Sequence, residues 1–163
     1  MGERIVVGVD DSAGGRAALA YALREGSLRD AEVEVIGAFA LPDFWSGRAV
    51  PGWSMGPAAE DIRREVSQRL DEVVAEVRAH VAQVPTVLRV RAVGGNAAAV
   101  LLEAARGAAL LVVGNRGRGG VASAMLGSVS LQCVLHACCP VTVVPGAVVE
   151  TNAARHEAAT ATS

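Results

Sequence analysis

The stretch Leu110–Gly120, LLVVGNRGRGG, joins a short apolar run to a glycine-rich segment that carries two arginines. Four consecutive apolar residues followed by glycine are typical of a fully buried strand in a parallel sheet. The glycines permit positive φ angles and a close approach of the backbone to a ligand or to a neighbouring segment. The last helical stretch of the chain opens at Gly127-Ser128, so we expect a helix to begin there, a few residues after the glycine-rich segment. This part of the sequence therefore predicts a strand–loop–helix unit.

Strand-like runs and helical spacings alternate along the rest of the chain. The sequence predicts strands over 4–9, 33–40, 86–93, 110–113 and 141–144. It predicts helices after Ser12, which is the expected N-cap, over 58–84 with Pro85 as the stop, and over 97–106 and 127–137. The order βαβαβαβαβ predicts a doubly wound α/β fold with a parallel sheet and right-handed crossovers.

Two segments fall outside this alternation. Residues 41–57 are rich in glycine and proline and contain Trp45 and Trp53, so we expect a long loop there. The two tryptophans have two equally plausible roles: they could form a lid over a ligand, or they could pack against the edge of the sheet. We expect residues 1–146 to form one domain and residues 147–163 to form a flexible C-terminal tail, because the end of the chain has no apolar stripe to bury.

Composition excludes several classes of protein. A chain of 163 residues fits one domain, and a net charge of −2 argues against a nucleic-acid-binding surface. All 15 basic residues are arginine, so a lysine-dependent phosphate loop is excluded. The first residues do not resemble a signal peptide, and no apolar run approaches the roughly 18–20 residues that span a membrane. Three cysteines, two of them adjacent, do not form a disulfide framework, which favours the reducing cytoplasm.

The cysteines also allow a second interpretation. Cys133, His136, Cys138 and Cys139 cluster near the end of the last predicted helix, a composition that a metal site could share. Small cysteines in an apolar helix are more often core residues, and a histidine near a helix C-terminus is favourable without any ligand. We therefore predict no metal site.

The chemistry is concentrated at two strand ends. In an open α/β sheet, ligands bind outside the carboxyl ends of the strands where the strand order reverses. The first strand ends in Asp10, and the fourth runs into the glycine-rich segment. The helix that begins at Gly127-Ser128 offers amide groups that attract anions, and Arg116 and Arg118 add positive charge. These features predict a phosphate cradle built from backbone, although the loop alone is equally compatible with a purely structural turn.

The spacing Gly114-x2-Gly117-x9-Gly127-Ser128 resembles the nucleotide-binding signature of the universal stress proteins. The resemblance extends to the opening strand over 6–12 and the closing strand over 139–144, and covers about residues 3–145. It implies an adenine-nucleotide-binding sheet in the order 3-2-1-4-5. Asp10 would contact the adenosine, the backbone near Ala38 would read the adenine edge, and the last helix would hold the phosphates. The nucleotide-binding residues predicted in this way are Asp10, Ala38, Gly114, Gly117, Arg118, Gly127, Ser128 and Val129.

The resemblance also implies a function. We expect a regulatory module that binds ATP or a related adenine nucleotide, with Mg²⁺ as a further expectation, and that forms a homodimer through Val141–Val144. We predict no catalytic residue, no membrane or nucleic-acid partner, and a protein partner that the sequence does not identify. One alternative is a slow ATPase or autophosphorylating enzyme, with Ser128 and Ser130 near the phosphates and Asp10 or Asp11 on Mg²⁺. The other is an interaction protein with a vestigial site.

Overall fold

The structure, a computed structural model, describes residues 2–40, 57–117 and 126–146. The predictions about Trp45, Trp53, Arg118 and the tail over 147–163 fall outside these residues. The strands are β1 (Arg4–Gly8), β2 (Glu32–Phe39), β3 (Leu88–Gly94), β4 (Leu110–Gly114) and β5 (Val141–Val144). The helices are α1 (Ala13–Arg29), α2 (Pro57–Ala79), α3 (Ala97–Ala104) and α4 (Ser128–His136).

The strands form one parallel sheet in the order β3-β2-β1-β4-β5, which confirms the predicted fold class. Val6 of β1 lies level with Glu34 of β2 and with Leu111 of β4. The strand order reverses between β1 and β4, which creates a switch point at the carboxyl ends of these two strands. The sheet therefore brings the ends of the first and fourth strands together, as the sequence predicts.

Helices cover both faces of the sheet, and each face has its own hydrophobic core. Helices α1 and α2 pack on one face, where Val7, Leu23 and Val73 are buried. Helices α3 and α4 pack on the other, where Leu101 and Cys133 are buried. Because neighbouring residues of a strand point to opposite faces, strands covered on both sides are apolar throughout, which explains the runs in β1 and β4.

Helix boundaries agree with the sequence at their starts and differ at their ends. Ser12 is the N-cap of α1, as predicted, and its side chain accepts a hydrogen bond from the amide of Gly15. Helix α2 was expected to run to Val84, but it ends at Ala79, where bonds between residues three apart close the last turn. Pro85 therefore does not end this helix; the turn tightens before it. The other boundaries differ from the predicted ones by two residues at most; β3, for example, begins at Leu88 and α3 ends at Ala104.

The cysteine cluster predicted near α4 is only partly buried. Cys133 is a core residue, but Cys138 is exposed, which corrects the expectation that these cysteines pack inside. Within the described parts of the chain, no group of three or more His, Cys, Asp or Glu side chains is arranged to hold a metal ion. None of the described helices is both long enough and apolar enough to cross a bilayer.

One buried charge lies on the face that α3 and α4 share. Glu34 of β2 is 5% exposed, and its carboxylate accepts hydrogen bonds from Arg4 at 2.6 Å and from Arg91 at 2.7 Å. Burial raises the pKa of this carboxyl, but the hydrogen bonds from Arg91 and Arg4 more than offset it and hold the pKa below its ordinary value of 4.5. The group therefore stabilises the fold in its ionised form.

We expect Glu34→Gln to lower the free energy of unfolding at pH 7 by about 1–3 kcal/mol, because it removes a buried charge from two arginine partners. Since the folded pKa is depressed, this contribution is present above pH 4.5 and is lost as the pH falls below that value. Urea unfolding between pH 7 and pH 3 measures both effects.

Glu103→Gln is the matched control, since Glu103 pairs with Arg106 on the surface, where both side chains are more than 70% exposed. It should change stability by less than about 0.5 kcal/mol. Equal losses for the two variants would contradict the importance of Glu34.

Candidate functional site

A cavity of about 650 Å³ opens at the carboxyl ends of β1, β2 and β4, at the switch point of the sheet. Seven of the eight nucleotide-binding residues that the sequence predicts line it, and the eighth, Arg118, lies outside the described residues. Those seven are Asp10, Ala38, Gly114, Gly117, Gly127, Ser128 and Val129. The structure therefore gathers at one site residues that are spread over more than a hundred positions of the chain.

Apolar residues that the sequence did not single out also line the cavity. Ile36 of β2, Leu101 of α3 and Val113 of β4 line it. Gly8 makes room for Leu101, because a Cβ atom at Gly8 would lie 2.7 Å from the Cδ1 atom of that leucine. Leu101 reads as an ordinary core position in the sequence. Its place in the site depends on how α3 crosses the sheet, which the spacing of α3 does not reveal.

Two glycines at the site are required by close packing of the backbone. A Cβ atom at Gly114 would lie 2.5 Å from the carbonyl carbon of Gly14, and one at Gly14 would lie 2.6 Å from the carbonyl oxygen of Arg116. The first turn of α1 therefore touches the end of β4 with no space for side chains. The sequence also suggested positive φ angles in this region, but the glycines with positive φ among the described residues are Gly95 and Gly107, away from the signature.

The two described ends of the β4–α4 connection are joined by hydrogen bonds. The amide of Asn115 donates to the carbonyl of Val144, and the amide of Gly127 donates to the carbonyl of Asn115, each at 2.8 Å. The Oδ1 atom of Asn115 accepts from the amide of Gly146 at 3.3 Å. The hydroxyl of Ser130 donates to the carbonyl of Gly114 at 2.6 Å. The start of α4 is therefore fixed against the end of β4.

Three helices open onto the cavity at their N-termini, represented by Gly15 of α1, Ala97 of α3 and Ser128 of α4. The amide groups of a first helical turn have no partners within the helix and carry partial positive charge. The side chain of Ser12 accepts a hydrogen bond from one such amide in α1, and the side chain of Asn96 accepts one in α3. The N-cap of α4 is Gly127, which has no side chain to accept a hydrogen bond from these amides. The N-terminus of α4 is therefore the best placed of the three to receive an anion.

The two aspartates after β1 have different surroundings. Asp10 lines the cavity, and its Oδ1 atom accepts hydrogen bonds from the amide and the hydroxyl of Ser12. Asp11 turns away and pairs with Arg69 and Arg16, each at 2.6 Å. Hydrogen bonds from Arg69, and after it Arg16, hold the pKa of Asp11 below its ordinary value. Of the two carboxylates proposed as Mg²⁺ ligands, Asp11 is thus committed elsewhere.

The fold and this cavity define a doubly wound α/β protein with a ligand-sized site at its switch point. The chain belongs to the universal stress protein family, which its sequence matches over residues 1–145. It is similar to a universal stress protein of Mycolicibacterium smegmatis, with 34% identity over 151 residues that cover 87% of this chain and 48% of that protein. The chain spans about half the length of the curated relatives it matches.

Solved structures share the fold. One is a universal stress protein in complex with cAMP, with a TM-score of 0.60 and 23% identity, covering 88% of this chain and 97% of that chain. Another is the universal stress protein of Archaeoglobus fulgidus in complex with dAMP, with a TM-score of 0.57 and 22% identity, covering 87% and 97%. At these identities the likeness establishes the fold.

The signature glycines should differ in their tolerance of alanine. Gly114→Ala should lower the free energy of unfolding by about 2 kcal/mol or more, because its Cβ atom meets backbone that cannot move aside. Gly127→Ala should change stability by less than about 1 kcal/mol, because its φ of −64° suits alanine and its nearest contact would be an ordinary 3.5 Å. Urea unfolding of both variants tests this, and equal losses would contradict it.

Proposed function

We propose that this chain binds ATP or a related adenine nucleotide in the cavity and acts as a regulatory module of the stress response. The observation that carries the proposal is the N-terminus of α4, which has no side-chain cap and opens onto a cavity that apolar side chains also line. A nucleotide needs both features, since its base is largely apolar and its phosphates are anionic. Two solved proteins of the same fold, which contain cAMP and dAMP, support this choice of ligand.

The order of the strands suggests how the nucleotide would lie. The base would occupy the side formed by Ile36 and Leu101, near the end of β2 and the start of α3. The ribose would lie over the end of β1, next to Asp10, and the phosphates would reach the first turn of α4. Backbone amides would bind the phosphates there, with Ser128 adding a hydroxyl donor.

We favour binding over turnover. Among the described residues that line the cavity there is no histidine or glutamate, and Asp10 is the only carboxylate. The hydroxyl of Ser130, one of the two serines proposed as phosphoryl acceptors, is buried and donates to the carbonyl of Gly114. Mg²⁺ would fit here as a companion of the nucleotide phosphates, since a single carboxylate is a sparse ligand set for this ion. The three free thiols suit a reducing cytoplasm.

Isothermal titration of the full chain with ATP should give saturable binding. Ser128→Asp should weaken that binding at least tenfold, because it sets a carboxylate where the phosphates would lie, a loss of about 1.4 kcal/mol or more. The same change should leave the fold as stable or more stable by about 0.3–1 kcal/mol, since an acidic residue is favourable in the first turn of a helix.

Ser128→Asn is the matched control, because it has nearly the shape of aspartate and no charge. It should bind ATP within about threefold of the unaltered protein, a difference of less than 1 kcal/mol. Failure of the unaltered protein to bind ATP at millimolar concentration would overturn the proposed function. Equal effects of Asp and Asn would overturn the location of the phosphates.

We also propose a homodimer formed through β5. This strand lies at the edge of the sheet, and an uncovered edge pairs readily with another strand. The carbonyls of Pro140 and Val144 accept hydrogen bonds from the β4 side, so the backbone groups of Val141 and Val143 point to the free edge. Exposed apolar side chains on the neighbouring helix α4 would add to the interface; they are Leu131, Val134 and Leu135.

Val143→Pro should convert the dimer into a monomer, because it removes an amide that faces the edge while leaving the bonds to β4 intact. Light scattering after size-exclusion chromatography measures the change in mass. Val143→Ala retains the amide and should remain a dimer. A monomeric unaltered protein, or a dimeric Val143→Pro variant, would contradict pairing through β5.

A further inference from the structure

The turn between β1 and α1 is held by the hydroxyl of Ser12, which has several polar neighbours. Its oxygen accepts a hydrogen bond from the amide of Gly15 at 3.0 Å. It lies 2.5 Å from the Oδ1 atom of Asp10 and 3.2 Å from the carbonyl oxygen of Arg116. A hydroxyl has one hydrogen to donate, and the shorter distance and the charge of the carboxylate assign it to Asp10.

The Oδ1 atom of Asp10 is thereby fully used. It accepts from the hydroxyl of Ser12 and from the backbone amide of the same residue at 3.2 Å. The carboxylate also fits closely against α1, since a Cβ atom at Gly15 would lie 2.4 Å from Oδ1. The group therefore cannot rotate freely without losing these contacts.

The other oxygen of Asp10 lies next to a glycine that lines the cavity. A Cβ atom at Gly117 would lie 2.9 Å from Oδ2, so this oxygen sits beside the signature glycine at the cavity. Within the described part of the chain, no hydrogen bond to Oδ2 is formed. Asp10 thus offers the cavity one oxygen with open lone pairs.

We propose that Ser12 is a positioning residue that engages one oxygen of Asp10, so that the other reads a single ribose hydroxyl of the bound nucleotide. The inference rests on the proposed function. A carboxylate accepts hydrogen bonds only, and a nucleotide offers hydroxyl donors on its ribose. The sheet order sets β1 between β2 and β4. In the proposed pose Asp10 would therefore lie next to the sugar, between base and phosphates.

A locked carboxylate distinguishes the two ribose hydroxyls. With both oxygens available, a carboxylate can accept from the 2′ and the 3′ hydroxyl, one on each oxygen. With Oδ1 occupied, both hydroxyls depend on the lone pairs of Oδ2 alone. The hydroxyl nearer the plane of the carboxylate then forms the stronger bond, and its neighbour the weaker one. Ser12 therefore makes the site sensitive to the loss of one particular hydroxyl.

The test compares the affinities of the full chain for ATP, 2′-deoxy-ATP and 3′-deoxy-ATP by isothermal titration. For the unaltered protein, one deoxy analogue should bind about tenfold or more weakly than ATP, and the other within about threefold. Similar losses for the two analogues would overturn the inference. Absence of ATP binding would instead overturn the proposed function, so the two failures are distinguishable.

Three variants separate positioning from stability. Ser12→Ala frees Asp10, so the ratio between the two deoxy analogues should fall to less than about threefold, and Ser12→Thr should restore it. Ser12→Asp retains an N-cap but cannot donate to Asp10, so the ratio between the two deoxy analogues should fall in this variant too. Its added negative charge should weaken the binding of all three nucleotides by the same factor. This variant keeps the test open if Ser12→Ala does not fold.

Asn96→Ala is the matched control for a lost cap. It removes the side-chain cap of α3, the other capped helix that opens onto the cavity, and does not touch Asp10. The ratio between the deoxy analogues should stay unchanged in this variant. A ratio that falls in Asn96→Ala as much as in Ser12→Ala, or that survives in both Ser12→Ala and Ser12→Asp, would overturn the role of Ser12.

Discussion

The contact between the first turn of α1 and the end of β4 governs the shape of the site. Gly14 and Gly114 meet backbone to backbone, with no room for a Cβ atom on either. Because the two segments touch directly, the turn that carries Asp10 lies beside the turn that leads to α4. Larger residues would separate these segments, and the distance between Asp10 and the N-terminus of α4 would grow. The cavity therefore depends on packing that only glycine permits.

The three helices that open onto this cavity differ in how their N-termini are capped. The side chain of Ser12 accepts from one amide of α1 and that of Asn96 from one amide of α3, so one amide at each of these ends is already bound. The glycine at the start of α4 leaves that end to solvent or a ligand. Three helix dipoles thus contribute to a positive potential, while one helix end retains the amides that can bind. This difference in capping comes from one residue, the N-cap, which is Ser12 in α1, Asn96 in α3 and Gly127 in α4.

Much of this could be predicted from the sequence because it depends on local chemistry. The alternation of apolar runs gives the strands, Ser12 is a recognisable cap, and the spacing from Gly114 to Ser128 marks the strand–loop–helix unit. What the sequence hides depends on distant partners. Leu101 lines the cavity because α3 crosses above Gly8, and Asp11 is withdrawn from the site by Arg69, 58 positions further along. The end of α2 was missed because a tightened turn, not Pro85, closes it.

The reliance on backbone also explains how a chain without lysine can offer a phosphate site. Amides at a helix end are supplied by the fold, so they remain wherever α4 begins at the cavity, whatever side chains surround it. Side chains such as Ile36 and Leu101 are needed only for their shape and apolar character, and many residues meet that demand. Gly114 has no such freedom, since any side chain there would collide with the backbone of α1. Such a site tolerates changes in the surrounding side chains while Gly114 stays constrained, which is why a glycine at the end of β4 is part of its sequence signature.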